Sequence, residues 1–197
     1  IVNGSNLANP NKRSCVIVRD GDIQPIIKGF TFEGGVGTKM NITACNGTDG
    51  IQRSEITGGG VLVYDAYPTI NYNRFIGNGA TPDSERGRKG SRNGGAIAHY
   101  EDAEVEFDED RNNSGRNTSS SREVPDTWNV QNNYFENNSS GNGENFYAHG
   151  FAGTIDVSGS IFEDIDCEQS EVNEFVLHSV EDEAEYLTND ISGDCLD

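Results

Sequence analysis

Gly58-Gly59-Gly60-Val61-Leu62-Val63-Tyr64, followed by Pro68-Thr69-Ile70-Asn71-Tyr72-Asn73-Arg74-Phe75, contains the two units from which most of the chain is assembled. The first unit is an apolar triplet closed by a polar or aromatic residue. It recurs as Val16-Ile17-Val18-Arg19, Ala96-Ile97-Ala98-His99, Phe146-Tyr147-Ala148-His149 and Phe175-Val176-Leu177-His178. The second is a β-branched residue with Phe five positions later: Ile27 to Phe32, Ile70 to Phe75, Val130 to Phe135 and Val157 to Phe162. Tyr186 to Ile191 is a weaker copy. The units alternate with separations of 11, 9, 34, 11 and 11 residues, so only the third repeat is interrupted.

Neither unit can bury its apolar face alone. Short strands recurring in one order, with Gly, Asn and Asp at the corners, predict a coil that stacks on itself. Equivalent residues of successive coils would lie about 4.8 Å apart, the spacing of any sheet. Asn71, Asn73, Asn132 and Asn133 would then form amide ladders at the corners. An antiparallel β-sandwich explains the number of strands but not the fixed order of the two units.

These stretches, with Ile26-Ile27-Lys28-Gly29-Phe30-Thr31-Phe32-Glu33-Gly34-Gly35 and Val130-Gln131-Asn132-Asn133-Tyr134-Phe135, resemble a right-handed parallel β-helix of the pectate-lyase-like superfamily. The likeness covers roughly residues 14–165. It implies an all-β, single-stranded parallel solenoid of five coils: 14–35, 58–80, 93–140 with an insertion at 101–127, 141–167 and 172–191. Together they would make residues 1–197 one domain. Architecture is what the resemblance specifies; the superfamily spans lyases, hydrolases, tailspikes, adhesins and repeat domains without catalysis. Its lyases use an Arg or Lys base with Ca²⁺, and its hydrolases cluster Asp residues with Gly-His-Gly and Arg-x-Lys strings. Here Ala148-His149-Gly150 matches the His string only in part, Arg86-Gly87-Arg88-Lys89 falls in a loop, and no paired Asp lies on a repeat strand. The two-carboxylate logic of glycoside hydrolysis therefore has no evident site.

Composition narrows the class further. The 197 residues carry 33 acidic and 14 basic side chains, a formal charge of -19. That excludes a basic footprint for nucleic acid or anionic membranes and opposes anionic uronate substrates. Ile and Val number 28 against 5 Leu, which favours pleated strands over helices. No stretch approaches the roughly 20 apolar residues of a membrane span. Ile1-Val2-Asn3-Gly4 is similar to the mature start of a chymotrypsin-like protease, but the matching nucleophile and His strings are missing. The same four residues read as the end of an earlier coil, so a longer protein is expected.

Cys15, Cys45, Cys167 and Cys195 fall as one pair near each end, without CxxC spacing, and predict Cys15–Cys45 and Cys167–Cys195 bridges. Seven Asn-x-Ser/Thr sequons begin at Asn3, Asn41, Asn46, Asn112, Asn117, Asn137 and Asn138. With the cysteines they point to an extracellular or cell-surface protein.

Residues 36–57, 80–92, 101–127 and 138–144 break the repeat and are predicted to leave the coil as loops. In the longest, Asp108, Asp110 and Asn112 have a spacing that suits Ca²⁺, although Asn113 and Ser119 depart from the EF-hand pattern. Trp128, the only Trp, stands where the chain re-enters, as a core or loop-anchoring residue or a sugar-stacking platform. The residues closing the triplets, Arg19, Tyr64, His99, His149 and His178, are expected to form one outward column. Such a column suits a structural stack, contact with an extended polysaccharide, or three His around a metal. The leading expectation is a structural, adhesion or assembly module without catalysis, contacting flanking domains or neighbouring chains. A glycan-binding module is the alternative, and a polysaccharide lyase or glycoside hydrolase a further one.

Overall fold

The computed structural model describes residues 1–5, 12–19, 24–44, 51–79, 91–101, 104–106, 124–149, 151, 153–163, 175–178 and 186–187. Before the first long insertion come β1 (Val2–Asn3), β2 (Lys12–Arg13), β3 (Val16–Arg19), β4 (Ile26–Lys28) and β5 (Thr31–Glu33). The insertion itself supplies β6 (Gly37–Ala44) and β7 (Ile51–Thr57). The second repeat gives β8 (Val61–Tyr64), β9 (Thr69–Asn71) and β10 (Arg74–Ile76), followed by β11 (Ser91–Asn93). The third gives β12 (Ile97–Tyr100), β13 (Glu104–Glu106), β14 (Thr127–Asn129) and β15 (Tyr134–Glu136). The last strands are β16 (Phe146–His149), β17 (Thr154–Asp156), β18 (Ile161–Phe162), β19 (Phe175–His178) and β20 (Tyr186–Leu187). The described residues are all-β, without a helix.

Most pairing is parallel, in separate sheets. One runs β1-β5-β10-β15-β18, a second β19-β16-β12-β8-β3, a third β14-β17-β20, and β4 pairs β9. Parallel neighbours come from different repeats, which explains why the two units recur in a fixed order along the chain. Arg74, Phe75 and Ile76 stand beside Thr31, Phe32 and Glu33 on one side and Tyr134, Phe135 and Glu136 on the other.

In this sheet the middle residue points inward and its neighbours outward, as strand alternation requires. Phe32, Phe75, Phe135 and Phe162 are all buried and stack in line, with centroids 5.1, 5.0 and 4.7 Å apart. Ile27, Ile70, Val130 and Val157 are buried beside them in the same core. Both expected columns are present. Tyr186, expected to continue the second, pairs instead with Ile155, two residues out of step.

Two amide ladders close the corners. Asn73 N–H donates to Asn133 Oδ1 at 2.9 Å, while Asn73 Nδ2 donates to Ile27 O and Asn133 Nδ2 to Ile70 O. Asn78 and Asn138 repeat the arrangement, with Phe32 O and Phe75 O as acceptors. Each buried amide thus satisfies backbone groups that the sheets leave over. At another corner Tyr72 and Asn132 adopt left-handed φ values of 58° and 55°, in register with Gly29 at 78° and Gly159 at 68°.

Three predicted loops are structured otherwise. Residues 36–57 contain the antiparallel pair β6–β7, extended by β2 and β13 beside β6 and by β11 beside β7. Residues 138–144 stay in the stack, with Asn138 in its ladder and Ser139 and Asn142 bridged to Gly79 and Asn93. Of 80–92, Ser91 and Arg92 belong to β11.

Candidate functional site

The expected outward column is built differently at its centre. Val16, Val61, Ile97 and Phe146 are in register, so the fourth position reads Arg19, Tyr64, Tyr100, His149 and His178. His99 is displaced by one residue and pairs with Val63 and Ala148. A one-residue slip turns a strand side chain to the opposite face. His99 therefore lies in the interior, 0% exposed, and the three histidines do not line one surface.

Within the core His99 stacks on Tyr67 at 5.1 Å and lies 4.9 Å from the Trp128 ring, with Phe151 at 5.9 Å. Glu101 Oε2 stands 4.0 Å from His99 Nε2. Trp128 is 1% exposed and donates its indole N–H to Pro68 O at 2.7 Å. Its ring is spent on core packing, which corrects the sugar-platform expectation and leaves that of a core or loop-anchoring residue.

The outer side of the β3-β8-β12-β16-β19 sheet is covered as well. Met40 of β6 packs with Leu62, Ala98, Tyr100 and Tyr147, against Ile17 and Tyr64, in a second apolar cluster. At its rim Tyr100 donates to Glu55 Oε2 at 3.1 Å, and Asn93 Nδ2 donates to Glu55 Oε2 at 2.6 Å. Asn142 Nδ2 donates to Asn93 Oδ1 at 2.8 Å and joins the next repeat to this network. Burial and then the neighbouring Tyr147 and Glu55 push the Tyr100 phenol well above its ordinary value. Burial and Glu55 do the same to Tyr147.

The β1-β5-β10-β15-β18 sheet presents an open outer side. Arg74 lies over the Tyr134 ring at 4.8 Å and reaches Glu136 at 3.9 Å. Lys28 lies over Tyr72 at 4.8 Å, and Phe30, Tyr72 and Ile161 are exposed nearby. Partial desolvation, Glu136 and Glu163 hold the Tyr134 phenol above its usual range. Exposed aromatic faces beside cations and carboxylates can stack on and hydrogen-bond to a polar ligand. Sequence reasoning missed this surface. Its signal is the pair of residues flanking each Phe of the second unit, which alternation turns outward.

Cys15 is a free thiol, so the expected Cys15–Cys45 bridge is not formed. Its Sγ points to Glu33 O at 3.6 Å and Asn78 Oδ1 at 3.8 Å, and burial raises its pKa. β6 pairs with Arg13 at its Gly37 end and runs on to Ala44, about 24 Å at strand rise, whereas a disulfide joins Cα atoms within about 7 Å. Cys45, Cys167 and Cys195 lie outside the described residues, as do Asp108, Asp110 and Asn112 with their expected Ca²⁺. Among the described residues no three His, Cys, Asp or Glu are grouped to hold a metal, and no helix is long and apolar enough to cross a membrane.

No family model, curated protein or solved structure matches the chain.

Proposed function

We propose that the chain is a right-handed parallel β-helix serving as a non-catalytic structural, adhesion or assembly module at an extracellular surface. Supporting the solenoid is the order of the sheets: β5-β10-β15-β18, β3-β8-β12-β16-β19 and β14-β17-β20 each take one strand per successive repeat. Crossovers between parallel strands are right-handed in about 98% of cases, which favours that hand. The observation that carries the functional reading is the use of the buried polar side chains. Asn73, Asn78, Asn133 and Asn138 are committed to holding backbone from repeat to repeat. A charge of -19 and the sequons support an extracellular setting, with neighbouring chains or flanking domains as partners.

A glycan-binding module is the second reading, favoured by the open face around Tyr72, Arg74 and Tyr134. The test is retention and turnover on a panel of immobilised neutral and acidic polysaccharides. The structural reading expects neither. Turnover of any polysaccharide would sink it. Retention lost in Tyr72→Ala and Tyr134→Ala variants of unchanged melting temperature would replace it by the glycan-binding one.

A further inference from the structure

Two of the sequons overlap, Asn137-Asn138-Ser139 and Asn138-Ser139-Ser140, and the fold treats their acceptors in opposite ways. Asn138 is 7% exposed and sits inside an amide ladder. Its Oδ1 accepts from Asn78 N–H at 3.0 Å, while its Nδ2 donates to Phe75 O at 2.9 Å and to Asn145 Oδ1 at 3.0 Å. Both protons of that nitrogen are committed. Asn137 is exposed, at a corner with φ of 52°, in register with Gly77 and Gly34 of the preceding repeats. A Cβ built on Gly77 meets nothing within 4 Å, so the row is open there, whereas one on Gly34 would meet Ser5. Asn137 Nδ2 donates to Glu136 Oε1 at 3.5 Å, a bond at the limit of hydrogen-bond length.

We propose that Asn137 is an N-glycan acceptor and that Asn138, one residue on, is excluded by the fold. The proposal rests on the extracellular reading above. The donor is an oligosaccharide carried on a polyprenyl diphosphate. Asn137 Nδ2 bonds to the anomeric carbon, the bond from that carbon to the diphosphate oxygen breaks, and the diphosphate leaves with the electron pair. Nδ2 gives up one proton, and nothing is oxidised or reduced. A glycan on Asn137 projects from the corner and leaves the ladder intact. One on Asn138 would require Nδ2 to abandon Phe75 O or Asn145.

The experiment is site mapping of the full chain, secreted from a eukaryotic cell behind a heterologous leader, by enzymatic deglycosylation in heavy-oxygen water and peptide mass spectrometry. Label is expected at Asn137 and none at Asn138. Ser140→Ala, which destroys only the second sequon, keeps the glycan. Ser139→Ala, which destroys only the first, loses it from the folded protein. A bare Asn137 in the secreted chain, or a glycan on Asn138 in protein of unchanged melting temperature, would overturn the assignment. The leader makes these results independent of native location. An Asn137 occupied in this chain but bare in chain from its natural source would overturn the extracellular reading instead.

Discussion

The two five-stranded parallel sheets share one interior and differ on their outer sides. The β3-β8-β12-β16-β19 sheet turns Ile17, Leu62, Ala98 and Tyr147 outward, and a hairpin with Met40 buries the last three and partly covers Ile17. The β1-β5-β10-β15-β18 sheet turns out Thr31, Arg74, Tyr134 and Ile161 and leaves them at least partly in water. Inward positions are apolar in both, apart from His99. The outward residues thus follow the cover: an apolar outward row marks a sheet with an element laid over it, and a mixed charged and aromatic row marks a free surface.

The sharpest test of the shared interior is Phe135→Ala, which removes the ring stacked between Phe75 and Phe162 and empties a fully buried site. A loss of about 3–5 kcal/mol is expected by denaturant titration. A loss under about 1 kcal/mol would mean the stack is not packed as described. The outer sides are compared by a matched pair. Leu62→Ala, under the hairpin, should cost about 2–4 kcal/mol, whereas Ile76→Ala, half-buried on the open side, should cost about 1 kcal/mol or less. Equal losses would erase the distinction between the sheets.

How much of this was legible in the sequence depends on the residue. The Phe stack and the Ile and Val column could be read because only one residue of each short strand points inward, and a five-residue interval fixes which. The register of the third repeat is hidden because Ala96-Ile97-Ala98-His99 fits the apolar-triplet unit, whereas the strand that forms, Ile97-Ala98-His99-Tyr100, puts a His at the third, inward position. Small Ala side chains suit either face. A usable signal was present: Gly58, Gly94 and Gly143, all with φ near 64°, stand three residues before Val61, Ile97 and Phe146. The hairpin also had its signal, Met40 and Ile42 in alternation followed by Asn46-Gly47 and Asp49-Gly50. The covered column could not be read, because burial by another element is a tertiary fact that no strand's own pattern contains.

The covered side should also answer to alkali. Tyr100 and Tyr147 have phenols whose folded pKa lies above the ordinary value near 10. The folded state then holds those protons more tightly than the unfolded one. Their contribution is complete below about pH 10 and is lost as pH rises from there toward the raised folded values. Melting temperature should be insensitive to these groups at pH 8 and fall above about pH 10. Tyr100→Phe, which keeps the ring, should make that fall shallower. An unchanged alkaline slope would place the phenol in water and not beneath the hairpin.

The smallest effect is expected on the open side, at Arg74. Its guanidinium lies over Tyr134 and near Glu136, but its side chain is 56% exposed and Glu136 33%. Solvent screens both contacts, and holding a long side chain in one place costs rotamer entropy. Arg74→Ala should therefore lower stability by only about 0.5 kcal/mol, and less in high salt. The phenol is the more sensitive reporter. Removing a cation from its ring face disfavours the phenolate, so ultraviolet titration should find Tyr134 moved further upward in the variant. A downward move would show that the guanidinium does not lie over the ring, and a stability loss like that of Leu62→Ala would show that the open face is held as firmly as the covered one.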